Sequence, residues 1–246
     1  MSIEPRKIVF VSDARGWVQE QRCEYLNKYL NESYCLEFLT RKTFLKNWKH
    51  GQLREKKIYF ASWRIPFALK KKIFFNEKDY GNFMASVTSH YNIGGGLNTE
   101  KTLPKGADPE RSFRESVSLL NKFKVVSVNS RILFDLLSSR IENLVYLPNG
   151  VDTDMFTPAE NCLFNPAAIK IGWVGKIKAA KNYALFQELK EHYRGKGVSF
   201  LELGVQKKKG FVRKVVDSLT GSFSSAQPFS TMPDYYRKLD FYLCTS

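Results

Sequence analysis

Residues Ile169–Asn182 read Ile-Lys-Ile-Gly-Trp-Val-Gly-Lys-Ile-Lys-Ala-Ala-Lys-Asn, and this stretch decides the fold. Ile169–Val174 is a short, β-branched apolar run, the pattern of a buried strand in a parallel sheet. Gly175 stands at its end, and a helix is expected over Asn182–Tyr193. A glycine at the tip of a strand lets backbone approach an anion closely. The first amides of a helix are donors without partners inside the helix. Lys176 and Lys181 add positive charge at the same place, either for that anion or as solvated surface residues.

Outward from this stretch the same alternation recurs. Downstream, Val198–Leu203 reads as a strand, Phe211–Leu219 as a helix and Ser222–Pro228 as a weaker strand. Met232-Pro233 opens another helix, with proline near the first turn where its missing N–H costs least. Phe241–Cys244 is a last strand. Upstream, strands are expected at Lys7–Ser12, Cys35–Leu39, Lys57–Ala61, Met84–Ser89, Val125–Asn129 and Val145–Leu147. Helices are expected at Val18–Leu30 and Phe113–Phe123, with a further one capped by Ser130 and running to Leu137. Strand-helix alternation of this kind means a mainly parallel sheet covered on both faces. The segment 158–168, rich in Pro, Asn and small residues, interrupts it and reads as a linker. The chain is therefore read as α/β with two domains, 1–157 and 158–246. The second is expected to be incomplete, because a doubly wound domain normally has five or six strands.

With 246 residues the chain has room for two such domains. Its four cysteines (Cys23, Cys35, Cys162, Cys244) form no C-x-x-C pair, so reduced thiols in a cytoplasmic protein are expected and zinc is not. Neither His50 nor His192 has metal-ligand neighbours, and neither a Walker A nor a G-x-S-x-G motif occurs. No apolar run is long enough to span a bilayer, and no signal peptide is expected. The net charge of +15 implies attraction to polyanions. Much of the excess falls between Arg41 and Lys72, interleaved with Phe44, Trp48, Trp63 and Phe67. Three readings stay open: a solvated cationic face, docking on anionic lipid headgroups, and nucleic-acid binding. The last lacks any recognition motif and is not expected.

Three segments carry a family resemblance. Leu147-Pro148-Asn149-Gly150-Val151-Asp152, with Phe156 and Pro158, resembles the segment joining the two halves of the retaining glycosyltransferases of family 4. Pro148 and Gly150 would shape its turn and Asp152 would cap the following helix. Gly172–Asn182 is similar to that family's donor-phosphate motif, with Lys176 where arginine is commoner. Met232–Ser246 is similar to the passage leading to the strand before the nucleotide-sugar pocket. The resemblance implies a GT-B fold, in which two Rossmann-like domains face a cleft. It implies transfer of a sugar from a nucleotide-diphosphate donor to a glycan or lipid-linked acceptor with retention, without metal or other cofactor.

By that resemblance Asn149, Gly175, Lys176 and Lys181 serve the donor, and the two lysines neutralise the leaving diphosphate. His90, in the segment Val87–Asn92, would meet the donor sugar or orient the acceptor; a lone histidine is also commonly structural. Asp13, Gly16 and Trp17 match an acceptor-side opening, and Trp17 either stacks on a sugar or packs. Gly94 and Gly95 either bring amides to a sugar or phosphate or form a flexible loop. The family's acidic pair would fall after Ser246, so a truncated, inactive or partner-dependent fragment is the alternative expectation. Location is expected to be cytoplasmic, with attachment to the inner membrane face as an open possibility.

Overall fold

The computed structural model describes residues 5–15, 18–30, 32–88, 108–159, 164–177, 181–205 and 229–245. The chain divides into two compact units, Met1–Gly150 and Val151–Ser246, each built on its own parallel sheet. This is a mixed α/β protein of Rossmann-like construction.

In chain order the first unit runs β1 (Arg6–Ser12), α1 (Val18–Tyr29), β2 (Tyr34–Thr40), α2 (Arg41–Lys49), β3 (Lys57–Phe60), α3 (Arg64–Leu69), α4 (Glu77–Tyr80) and β4 (Phe83–Val87). It continues with α5 (Pro109–Leu120), β5 (Val125–Val128), α6 (Arg131–Leu137) and β6 (Leu144–Tyr146). The strands lie in the order β2-β1-β3-β4-β5-β6, all parallel. The pleat of β1 divides the core. Val9 and Val11 join a large apolar cluster with residues of α2, α3, α5 and α6, while Phe10 packs with Cys23 of α1 and Ala61. Side chains alternate across a strand, so helices cover both faces of the sheet.

Local chemistry starts the helices. The Thr40 hydroxyl accepts the Thr43 N–H at 3.2 Å, and the Ser130 hydroxyl accepts the Leu133 N–H at 3.3 Å. α4 opens on a full capping box between Asn76 and Asp79. α2 was not expected from the sequence, because it fully buries only Phe44 and Trp48, with Leu45 partly buried beside them, and its other residues are polar. That burial also settles one open question. Phe44, Trp48 and Trp63 are core residues, and Phe67 is partly buried against the same cluster. The aromatics interleaved with the basic run hold the fold together and form no interface-seeking surface.

The second unit contains β7 (Ile169–Lys176), α7 (Tyr183–His192), β8 (Val198–Val205), a 3₁₀ turn (Phe229–Thr231), α8 (Met232–Tyr236) and β9 (Phe241–Tyr242). Its sheet has the order β8-β7-β9, again parallel. β7 runs two residues beyond the expected strand, carrying Gly175 opposite Gly204 and Lys176 opposite Val205. The helix read over 211–219 and the strand read over 222–228 lie outside the described residues. Residues after Gly150 pack on this unit. Arg237 donates to the Thr157 carbonyl at 3.1 Å and the Thr157 hydroxyl at 2.8 Å, and the Phe156 ring lies 6.1 Å from that of Tyr236. The Asp152 carboxylate accepts the N–H groups of Asp154 and Met155, each at 3.1 Å, capping a single turn. Among the described residues no helix is long and apolar enough to cross a membrane.

Candidate functional site

In parallel α/β sheets ligands gather beyond the carboxyl ends of the strands, where successive connections leave in opposite directions. In the second sheet that point lies between β7 and β9. β7 continues through α7 to β8 on one side, whereas β9 pairs on the other.

Gly175 sits at this point. A Cβ placed on it would lie 3.4 Å from the Trp173 ring and 3.8 Å from Lys181 Cδ. The indole and the aliphatic stem of Lys181 therefore both close on the glycine backbone. Trp173 is buried, its ring 4.9 Å from that of Tyr183 and 5.8 Å from that of Phe186. The indole N–H donates to the Thr245 hydroxyl at 3.0 Å, and that hydroxyl donates to the Lys181 carbonyl. Thr245 thus ties the segment after β9 to Trp173 of β7 and to Lys181, just ahead of the Asn182 cap of α7.

α7 begins on Asn182, whose φ of 38° and ψ of 51° place it in the left-handed region. Asparagine tolerates this conformation better than most residues. Its side chain makes no capping bond, so no side chain at that position takes the first amides of α7. Farther along, α7 is clamped to β8 through Glu202. That carboxylate accepts from the Tyr183 hydroxyl and, at 3.2 Å, from Gln187, and pairs with Lys190 at 3.7 Å. Burial first, then the bond to Glu202 and its charge, push the Tyr183 hydroxyl up.

Beneath the site, the Tyr235 hydroxyl lies 2.8 Å from the Leu201 carbonyl and 3.1 Å from the Trp173 carbonyl. It fastens α8 across β7 and β8. Burial is the main cause of its pKa being pushed up to about 12.

Of the residues singled out in the sequence, Gly175 and Lys181 come together here. Lys176, the last residue of β7, directly follows Gly175 along the backbone. Asn149 is exposed, just beyond β6 in the first unit. Asp13 follows β1, and its carboxylate pairs with Arg41 of α2 at 3.4 Å. Gly16, Trp17, His90, Gly94 and Gly95 lie outside the described residues. Trp173, Thr245 and Tyr235 had not been singled out as site residues. Their roles arise from pairing between segments more than thirty residues apart, and the only local signal is a polar Thr directly after an apolar strand.

Among the described residues no group of three or more His, Cys, Asp or Glu is arranged to hold a metal ion. What the described residues offer chemically is a glycine-tipped strand end with the Lys181 stem against it, beside a helix start, the kind of place where an anion can be met by backbone amides.

No protein-family model matches the sequence, and curated proteins yield no match. Among solved structures, the chain is similar to the catalytic domain of Starch Synthase IV from Arabidopsis thaliana, which was solved bound to ADP and acarbose. The identity is 14% and the TM-score 0.47, covering 82% of this chain and 55% of that one. The present chain thus spans about half the length of that neighbour.

Proposed function

We propose that this chain is a GT-B-type retaining glycosyltransferase, or the greater part of one, that takes a sugar from a nucleotide-diphosphate donor. The observation that carries the reading is the meeting of Gly175 and the Lys181 stem at the carboxyl end of β7, beside the start of α7. In this reading the diphosphate lies along the Gly175 backbone, facing the first amides of α7. Lys176 and Lys181 neutralise the negative charge that grows on it as the glycosidic bond breaks. The sugar then has oxocarbenium character, and the departing phosphate accepts the proton of the incoming hydroxyl. A lysine at position 176 supplies charge without the two-pronged grip of an arginine. His90 and the Asp13 loop are assigned to the sugar and to a glycan or lipid-linked acceptor, and Asn149 to the donor. No metal is required, since side chains and helix dipole carry the electrostatics. A reducing cytoplasmic setting belongs to this reading; among the described residues Cys23 and Cys35 form no disulfide.

The test is titration of the chain with nucleoside diphosphates, followed by transfer assays with radiolabelled nucleotide sugars. Lys176→Ala with Lys181→Ala is expected to weaken diphosphate binding and to lower kcat by at least about a hundredfold. Unchanged turnover in the folded double variant would refute the role given to these lysines. Diphosphate binding without transfer or donor hydrolysis would leave a nucleotide-binding protein in place of the transferase.

A further inference from the structure

All six strands of the first sheet are parallel, so the segments leading into them share one end of the unit. That end is strongly basic. Residues 50–57, 70–82 and 121–124, which lead into β3, β4 and β5, hold nine Lys and Arg against three Asp and Glu. Some of the cations are locally paired: Lys78 with Glu55 at 3.4 Å, Lys122 with Glu77 at 2.6 Å, and Arg54 with Asp79 at 3.1 Å. Lys70, Lys71 and Lys72 are exposed and have no ion pair among the described residues.

Directly after these lysines stands Phe74, 81% exposed and the most exposed large apolar side chain among the described residues. A shallow depression of about 410 Å³ opens beside it, lined in part by Lys70, Ile73, Tyr80 and Lys122. Leaving a phenyl ring in water forfeits much of the free energy that burial would return. Its setting among lysines suits a surface that is both anionic and apolar a few ångströms down. Single-stranded nucleic acid would call for a row of exposed aromatics for stacking. Here the neighbouring rings of Phe75 and Tyr80 are buried.

We propose that this end of the first unit docks on an anionic lipid bilayer, with Lys70–Lys72 at the headgroups and the Phe74 ring entering the interface. The proposal does not depend on what the second unit binds.

The test uses the full chain and sedimentation with phosphatidylcholine vesicles containing about one third phosphatidylserine, against pure phosphatidylcholine. Binding is expected only to the anionic vesicles and to weaken with salt. Replacing Lys70, Lys71 and Lys72 together by Ala is expected to lower partitioning roughly a hundredfold, since each basic residue near the surface is worth about fivefold. Phe74→Ala is expected to cost about tenfold. Phe74→Trp is expected to retain binding and to show a blue shift of its emission on anionic vesicles. Ile132→Ala, at another exposed apolar site that follows β5 at the other end of the sheet, is expected to change nothing. Three results overturn the proposal: no binding to anionic vesicles at low salt, wild-type partitioning by Phe74→Ala, or duplex DNA bound as tightly as vesicles with Phe74 indifferent. Because Phe74 is exposed, its variants are expected to keep the wild-type circular dichroism spectrum, which excludes misfolding as the cause.

Discussion

Gly172 has a neighbour that leaves it no room for a side chain. A Cβ placed there would lie 2.1 Å from Leu239 Cδ1, 2.6 Å from Cδ2 and 2.9 Å from Cγ. The whole head of Leu239 would have to move. Gly172→Ala is therefore expected to destabilise the second unit by about 1–3 kcal/mol, the usual cost of overpacking, measured by urea unfolding. Wild-type stability would mean that Leu239 is free to turn away. Thr245 poses the complementary case, because it accepts from a buried indole and donates to a backbone carbonyl. Thr245→Val keeps the shape and strands the Trp173 N–H, for an expected loss of about 1–3 kcal/mol. A variant as stable as the parent would show that the indole finds another acceptor. Such contacts are where the sequence was least legible. Gly175 and Lys181 stood out because they belong to one local pattern, whereas Thr245 meets Trp173 only through the pairing of β7 with β9.

Elements show the same division between local and distant causes. The strands could be read directly, since Phe83–Val87 and Val125–Val128 are buried on both faces and their apolar runs are nearly unbroken. α2, α3 and α4 were missed. The last two are a single turn or little more, and α2 is held by Phe44 and Trp48, with Leu45 partly buried, among polar neighbours that hide the pattern. The hold of α8 on the sheet is likewise invisible in sequence, because it rests on the Tyr235 hydroxyl between two strand carbonyls. It also gives a pH signature. An unfolded tyrosine loses its proton near 10, whereas folded Tyr235 keeps it to about 12. The raised value means its contribution to stability is complete below pH 10 and is lost as pH rises from 10 through 12. Tyr183 shifts in the same direction and adds to the trend. Urea midpoints for the second unit should therefore fall across that window. Tyr235→Phe should lower stability at neutral pH and flatten the alkaline fall; an equally steep fall would assign it to other groups.

At the scale of the whole chain, burial among the described residues is uneven between the two units. Prolines aside, the buried apolar side chains of the second unit among the described residues are Trp173 and Phe186, while the first unit holds 28 such residues. Apolar burial is the main favourable term in folding, so the two units should not unfold together. Urea is expected to give two transitions, the earlier one following the Trp173 environment and the later one the first unit. The meeting of Gly175 and Lys181, which carries the proposed diphosphate site, lies on the second unit. A ligand that binds only the folded form stabilises by about 2.7 kcal/mol at a hundred times its dissociation constant. A nucleoside diphosphate at that excess should therefore raise the first midpoint and leave the second where it was. Lys176→Ala with Lys181→Ala should abolish that rise, measured against the variant's own ligand-free midpoint. A rise confined to the later transition would move the diphosphate to the first unit. A single transition would show that the two units are coupled strongly enough to share one stability.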